Sequence, residues 1–294
     1  MRWVWAIMAI AVGFGATDRT AQGAERVTIL YDAFGRSSAL TKDWGFSALV
    51  ETGSKRILFD TGNDGAIFER NLAAAAIDLT KVDAVVISHR HSDHIAGLSH
   101  VLEIAPRVQV YVPVEPFGVF GGLLPADFYR SIEALPAEMR YFGGIRRSDV
   151  RTGSLWPQAT FVAVDQTKEI AEDVFLVPTV SEVPGTRELR EISLAVRTPK
   201  GLLLVVGCSH AGIERVLEVA AKVDSRLHFL VGGLHLVKAS DAESAATAAA
   251  LRDKWKVEYV APGHCTGEPT FAALRASFAA HYFYAGVGTV LPIP

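Results

Sequence analysis

Short apolar runs rich in β-branched residues recur along this chain, and their order is the feature that most limits how it can fold. Each run is bounded by glycine, aspartate or proline, which is typical of strands in a buried sheet. The first half of the chain contains Val27–Tyr31, Phe46–Val50, Arg56–Phe59, Ala84–Ser88 and Val108–Val112. The second half contains Thr160–Val164, Val174–Val177, Ile192–Thr198, Leu202–Val206 and Leu227–Val231.

Helical stretches lie between these runs and after them. The predicted helices are Ile67–Ala76, His94–Ile104, Ile213–Lys222, Asp241–Trp255 and Thr270–Ala280. Asp241 is well placed to be the N-cap of the penultimate helix. Two halves, each with mostly strands first and helices after, indicate an α/β fold with two sheets packed on each other and helices outside.

Residues 114–158 fit this pattern poorly. The segment is rich in aromatic residues and contains two pairs of glycines. One interpretation is an aromatic-lined cover over a site, and the other is a helical hairpin packed on the sandwich.

The beginning of the chain is predicted to be a secretory signal rather than part of the fold. Residues 1–24 place one arginine before an apolar run that is too short to span a bilayer comfortably, and small residues follow. We therefore expect a signal peptide at 1–24, a single domain at 25–294, and an exported, periplasmic protein. The alternative is an uncleaved membrane anchor.

Composition limits the partners of this domain. Hydrophobic residues make up 50% of the 294 residues, which is enough for a core, and the net charge is only −3. A charge that small gives no general reason to bind nucleic acid or anionic lipid. We expect a small-molecule substrate, no nucleic acid, and no membrane association after signal removal.

Three histidines and an aspartate follow the predicted strand Ala84–Ser88 within six residues. Alternation along an extended chain places His89, His91 and Asp93 on a common side. Imidazole nitrogens and carboxylate oxygens are ligands that zinc and similar cations select. His89 and His91 can hold one metal, while Asp93 and His94 can hold a second.

Further ligand-type residues follow later strands in loops flanked by glycine: Cys208, His210, His235, His264 and Cys265. Such placement is expected of residues that converge on one sheet edge. The other three histidines, His100, His228 and His281, have no such setting and are interpreted as surface or core residues.

These motifs resemble those of a known family. The run at 89–94, His-Arg-His-Ser-Asp-His, resembles the HxHxDH signature of the metallo-β-lactamase superfamily, and Asp60-Thr61-Gly62 resembles its earlier Asp-Thr-Gly turn. Gly-Cys-Ser-His-Ala-Gly at 207–212, Gly-Gly-Leu-His-Leu at 232–236 and His-Cys-Thr-Gly at 264–267 resemble the dihydropterin–ribofuranosylaminobenzene-phosphate synthase-like branch. The resemblance extends from about Val27 to Leu291.

The resemblance implies a four-layer αβ/βα sandwich with two zinc ions, or other divalent metals, between the sheet edges. It implies that His89, His91 and His210 bind the first metal, that Asp93, His94 and His264 bind the second, and that Asp60 supports the metal loop. Most members carry a bridging aspartate where this chain has Cys208, so either the thiolate or His210 takes that role. A disulfide between Cys208 and Cys265 is the alternative, and it would remove Cys208 as a ligand.

The predicted activity is hydrolysis of an ester, lactone or phosphoester by a metal-activated water. Asp93 would hold metal and orient the nucleophile, and His235 would donate a hydrogen bond to the developing oxyanion or leaving group. Two alternatives remain: a non-catalytic metal- or ligand-binding protein, and the condensation of a pterin pyrophosphate with an aminobenzene ribotide that the branch name implies.

Overall fold

Two mixed sheets face each other in the computed structural model, which describes residues 25–293 apart from residues 38, 54, 116, 117 and 126. The predicted signal peptide at 1–24 lies outside the described residues. The strands are β1 (Arg26–Tyr31), β2 (Ser47–Thr52), β3 (Lys55–Phe59), β4 (Ala84–Val86), β5 (Gln109–Pro113), β6 (Gly122–Leu123), β7 (Arg151–Thr152), β8 (Thr160–Val164), β9 (Lys168–Ala171), β10 (Val174–Val180), β11 (Arg190–Thr198), β12 (Gly201–Val206), β13 (Leu227–Gly233), β14 (Tyr259–Gly263) and β15 (Val290–Pro292).

The strand order places the parallel strands of each sheet side by side. The first sheet has the order β15-β1-β2-β3-β4-β5-β8, and the second has the order β14-β13-β12-β11-β10-β9. Strands β3, β4, β5 and β8 are parallel neighbours, as are β12, β13 and β14. The carboxyl ends of parallel strands lie at one edge of a sheet, which is where ligand sites form in open α/β sheets.

Helices cover the outer face of each sheet. They are α1 (Gly65–Ala74), α2 (Ser92–Ile95), α3 (Leu98–Ile104), α4 (Ile213–Ala220), α5 (Asp241–Ala249) and α6 (Glu268–Phe278). Side chains of α1 and α3 pack against the first sheet, and side chains of α4, α5 and α6 pack against the second. The central core lies between the sheets and includes the buried rings of Phe46, Phe59 and Phe229. The predicted four-layer αβ/βα sandwich is confirmed.

The helix predicted at His94–Ile104 is wrong as a single element, because the chain forms α2 and α3 instead. The amides of Ala96 and Gly97 donate to the carbonyls of Gly62 and Thr61, at 3.0 and 3.2 Å, which binds this turn to the end of the first sheet. A Cβ at Gly97 would lie 2.5 Å from the Thr61 carbonyl oxygen, so this close approach requires glycine.

The N-cap of α5 is Ser240, and the prediction of Asp241 is wrong by one residue. The Ser240 hydroxyl accepts from the amide of Glu243, and the Glu243 carboxylate accepts from the amide of Ser240. This reciprocal pair is a capping box, which satisfies two amides that the helix itself leaves unpaired. The helix also ends earlier than predicted, at Ala249, and a π-helical turn follows at Ala250–Lys254.

The helical hairpin predicted as one alternative for residues 114–158 is wrong for the described part of that segment. It contains the short antiparallel strand pair β6–β7 and, between these strands, two 3-10 turns, Ala137–Met139 and Tyr141–Gly144. Phe120 and Trp156 anchor it against the outer core of the first sheet, where the Trp156 indole donates to the Ser99 hydroxyl at 2.8 Å. The aromatic cover over a site stays a prediction.

Among the described residues, no helix has the length and apolar character needed to cross a membrane.

Replacing Ser240 by alanine removes the capping box, and we expect the free energy of unfolding to fall by about 1 kcal/mol in urea denaturation. Asp241→Ala is the matched control, because it removes a charge near the helix N-terminus but leaves the cap intact. Its expected cost is about 0.3–1 kcal/mol. A larger loss for Asp241→Ala than for Ser240→Ala would contradict the assignment of the cap.

Candidate metal centre

The loops that follow four strands bring the predicted ligand residues together between the two sheets. The chain after β4 carries His89 to His94, and the loops after β12, β13 and β14 carry the other residues. Four overlapping groups have ligand-type atoms within 4.8 Å of one another: His89–His91–His210, Asp93–His94–His264, His89–His94–Cys208 and Cys208–His235–Cys265. Every site residue predicted from the sequence therefore lies in one cluster.

The first group consists of three imidazoles. His89 Nε2 lies 3.0 Å from His91 Nδ1, and the ring of His210 has its centroid 4.8 Å from each of theirs. His89 and His210 are buried, whereas His91 is exposed. Burial and the neighbouring histidines, His94 first, hold the pKa of His89 well below its usual value. The ring is therefore neutral, with a lone pair available for a metal.

The second group combines a carboxylate with two buried imidazoles. Asp93 Oδ2 lies 3.4 Å from His264 Nε2 and 3.8 Å from His94 Nε2. Burial alone raises the pKa of Asp93, but the nearby imidazole rings of His264 and His94 lower it overall. Among the described residues, Asp93 is one of two carboxyl groups within 4 Å of a His94 ring nitrogen, and the other is Asp60, which lies 2.7 Å from His94 Nδ1.

Cys208 lies between the two groups, at the place where the resemblance implies a bridging residue. The Cys208 Sγ atom is 3.3 Å from His94 Nε2 and 3.2 Å from Cys265 Sγ. Both cysteines are buried free thiols, so the disulfide alternative is not the state of this structure. His235 is exposed at the rim, with its ring centroid 4.2 Å from that of His210.

Buried ring nitrogens without partners fit a metal-binding role. His210 Nδ1 and both ring nitrogens of His264 have no hydrogen bond among the described residues, although little solvent reaches them. A buried polar atom left without a partner costs about 1–3 kcal/mol, so such atoms point to a missing ligand. Nitrogen, carboxylate and thiolate donors suit zinc and similar divalent cations.

Asp60 orients His94, in agreement with the supporting role that the resemblance implies for it. Its carboxylate accepts from the Ser88 amide at 2.6 Å, the Ser88 hydroxyl at 2.7 Å and His94 Nδ1 at 2.7 Å. Burial lowers the pKa of His94, but the Asp60 and Asp93 carboxylates raise it overall to about 9. With Nδ1 hydrogen-bonded to Asp60, Nε2 is the nitrogen directed toward Asp93 and Cys208.

Glu191 is a buried residue of the candidate centre that sequence reasoning missed. Its buried carboxylate accepts from the amides of Cys208 and Ser209, at 3.3 and 3.2 Å, and from the amide of His210. It also lies 3.2 Å from His210 Nδ1 and 3.6 Å from His89 Nδ1. Burial raises its pKa, but interactions with His210 lower it overall. Glu191 thus holds the loop that carries two predicted ligands.

Asp32 has a similar role on the other side of the cluster and was also missed. Its buried carboxylate accepts from the amides of His264, at 2.8 Å, and Ala33, at 2.7 Å. Burial raises its pKa to about 8. No motif surrounds either Asp32 or Glu191, and the signal that identifies them is burial in the folded chain.

The three histidines assigned to surface or core positions lie outside the cluster. The buried His228 contacts the Glu258 carboxylate at 2.7 Å, and the exposed His281 contacts the Glu258 carbonyl at 2.9 Å. The ring of His100 packs edge-on against Phe68, with the centroids 6.5 Å apart.

The layered fold, with a histidine cluster at the strand ends between its sheets, defines the class of αβ/βα sandwich proteins with a metal-ligand centre. This chain belongs to the metallo-β-lactamase superfamily, whose family model matches residues 43–264.

Similar proteins include 7,8-dihydropterin-6-methyl-4-(β-D-ribofuranosyl)-aminobenzene-5′-phosphate synthase of Methanocaldococcus jannaschii, 29% identical over 82% of this chain and 86% of the relative. The resemblance to that branch is therefore confirmed. A solved structure, Tm1679, described as a metal-dependent hydrolase of the β-lactamase superfamily, is 28% identical with a TM-score of 0.68, covering 92% of this chain and 99% of that one. The short form of human tRNase Z, 15% identical with a TM-score of 0.53 over 92% of this chain and 99% of its own, shares the fold alone.

Glu191→Gln replaces one carboxylate oxygen, an acceptor for backbone amides of the Cys208–His210 loop, by an amide nitrogen that cannot accept. We expect zinc affinity, measured by competition with a chromophoric chelator, to fall about 10- to 100-fold. Glu182→Gln is the matched control, since Glu182 is exposed on a nearby cavity wall. Equal affinity in the Glu191→Gln variant and the unchanged protein would show that Glu191 does not support the ligand loop.

Proposed function

We propose that this protein is an exported metal-dependent hydrolase of esters, lactones or phosphoesters. The observation that carries the proposal is the pair of adjacent ligand groups, His89–His91–His210 and Asp93–His94–His264, with buried ring nitrogens that lack hydrogen-bond partners. The family relationship supports it, because Tm1679 is described as a metal-dependent hydrolase. The proposal of export to the periplasm rests on the signal peptide predicted from the sequence at 1–24.

The donor set fits two zinc ions. His89, His91 and His210 would hold the first, and Asp93, His94 and His264 would hold the second, with Cys208 placed near both groups. Two divalent cations held by these residues would lower the pKa of a bound water molecule to near neutrality and polarise a carbonyl or phosphoryl oxygen.

Two side chains at the open side of the centre have further roles. Asp93 is partly exposed, so its carboxylate can accept a hydrogen bond from the attacking water and orient it. His235 lies at the rim beside His210, where a ring N–H can donate to the oxyanion or leaving group of a substrate. In this proposal Asp93 orients the attacking water, and His235 stabilises the substrate oxygen or leaving group that becomes negatively charged.

Two cavities next to the centre support a small organic substrate. One has a volume of about 760 Å³, and its walls include Glu191 and Ala211, the residue after His210. The other has a volume of about 710 Å³, and His235 contributes to its wall. Both volumes lie within the range of roughly 300–1,000 Å³ that is usual for small-molecule sites.

Purified protein reconstituted with zinc is expected to contain at least about two metal ions per chain, measured by elemental mass spectrometry. His91→Ala removes a ligand of the first group and is expected to reduce the content by about one. His281→Ala is the matched control, because His281 is an exposed histidine outside the cluster. No bound metal in the unchanged protein would overturn the proposal.

Asp93→Asn is expected to lower kcat on a generic substrate, bis(p-nitrophenyl) phosphate or a simple lactone, by at least about 100-fold. The change removes a ligand and the acceptor that orients the attacking water. Asp253→Asn is the control, since Asp253 is an exposed carboxylate paired with Arg252. Turnover by the unchanged protein that persists after complete metal removal would contradict metal-dependent hydrolysis.

A second candidate is the synthase activity for which the Methanocaldococcus jannaschii relative is named. The 29% identity over most of both chains favours it, and two cavities beside one centre suit a reaction with two organic substrates. Incubation with a dihydropterin pyrophosphate and a ribofuranosylaminobenzene phosphate distinguishes the candidates. A coupled product with release of pyrophosphate supports the synthase, and turnover of the hydrolytic probes alone supports the hydrolase. A protein that binds metal but performs neither reaction is the non-catalytic alternative.

A further inference from the structure

We propose that Cys208, His235 and Cys265 form a third metal position, rich in thiolate, beside the two groups described above. Their ligand atoms lie within 4.8 Å of one another, and the two sulfur atoms are 3.2 Å apart. The proposal goes beyond the proposed hydrolase function, which uses neither Cys265 nor His235 as a ligand.

The spacing of the sulfur atoms is close to what one shared cation requires. Zinc–sulfur bonds of about 2.3 Å in a tetrahedral site place two thiolates about 3.8 Å apart. The pair at 3.2 Å would need to open by about half an ångström to reach that spacing.

The backbone around Cys265 is built to receive its sulfur atom. The amide of His235 donates to Cys265 Sγ at 3.2 Å, and a Cβ on Gly233 would lie only 2.8 Å from that sulfur. Glycine at position 233 therefore leaves room for the sulfur between β13 and the loop after β14. Both thiols are nearly inaccessible, with 3% and 2% of Cys208 and Cys265 exposed.

His235 connects this position to solvent. Its backbone is in the left-handed region, with φ of 52°, and its ring lies beside His210 and on the wall of the 710 Å³ cavity. A tetrahedral cation held by two sulfurs and one imidazole would have a fourth position available for water or a substrate. One ring nitrogen as a ligand leaves the other free to contact a substrate.

The chemistry of the ligand atoms determines which cations bind at the third position. Two thiolates and an imidazole favour zinc, cadmium and other soft or borderline cations over magnesium, calcium and manganese. Because Cys208 also approaches His94 at 3.3 Å, its sulfur is placed to bridge the third position and the neighbouring group.

Cadmium titration of the full protein tests the proposal, because cadmium–thiolate bonds absorb in the ultraviolet independently of any enzymatic activity. The titration is anaerobic, starts from metal-free protein with both thiols reduced, and records bound cadmium by elemental mass spectrometry. We compare the unchanged protein with Cys265→Ser and His235→Ala. His91→Ala removes a ligand from the first group only.

Cys265→Ser is expected to lose about one cadmium ion per chain and about half of the thiolate absorption. His235→Ala changes an exposed residue and is expected to lower the affinity for the same cadmium ion at least about tenfold. His91→Ala is expected to lose cadmium while keeping the full thiolate absorption. Thermal unfolding of the metal-free variants identifies any that do not fold, and His235→Ala then carries the test.

Full cadmium content and full absorption in both Cys265→Ser and His235→Ala would overturn the third position. That result leaves the hydrolase proposal intact if the unchanged protein still hydrolyses the probes. Conversely, loss of absorption in Cys265→Ser without any probe hydrolysis would support the third position and contradict the hydrolase.

Discussion

The site depends on buried carboxylates that accept hydrogen bonds from the elements carrying the ligands. Asp60 directly follows β3 of the first sheet and binds the chain from Ser88 to His94, while Glu191 lies in β11 of the second sheet and binds the loop from Cys208 to His210. A buried carboxylate is stable only when its oxygens are satisfied, so each selects one arrangement of its loop. The Ile192 amide donates to the Ser88 carbonyl at 2.8 Å and thereby joins the two sheets beside both carboxylates.

These contacts also maintain backbone conformations that are unfavourable by themselves. Asp60, Ser209, His235 and His264 all have positive φ, at 58°, 63°, 52° and 46°. Such residues cost of order 1 kcal/mol or more each and persist where surrounding contacts determine the conformation. Asp60 accepts from Ser88 and His94, the Ser209 amide donates to Glu191, and the His264 amide donates to Asp32. At the fourth residue, the His235 amide donates to Cys265 Sγ. The ligand directions therefore result from tertiary structure, and local propensity opposes them.

The difference between local sequence patterns and tertiary contacts explains which features the sequence predicts well. Apolar runs such as Leu202–Val206 identify strands because burial of alternate or continuous side chains leaves a local pattern. Ligand residues were found because three histidines and an aspartate within six residues are rare by composition. The strands β9 and β15 lack a long apolar run and were not predicted, and the split between α2 and α3 depends on contacts with Thr61 that no local pattern contains. Asp32 and Glu191 differ from other acidic residues only in where the fold places them.

Charge balance connects the supporting carboxylates with the ligands. Asp60, Asp93 and Glu191 converge on a small volume whose other walls are mostly imidazole rings. Imidazoles that serve as metal ligands are neutral, so they do not offset three carboxylates, and thiolates at Cys208 and Cys265 would add further negative charge. Uncompensated charge in a buried site is expensive, whereas divalent cations offset it directly. The same carboxylates that orient the histidines thus favour cations at the centre, and a thiol in place of a bridging carboxylate shifts that preference toward softer metals.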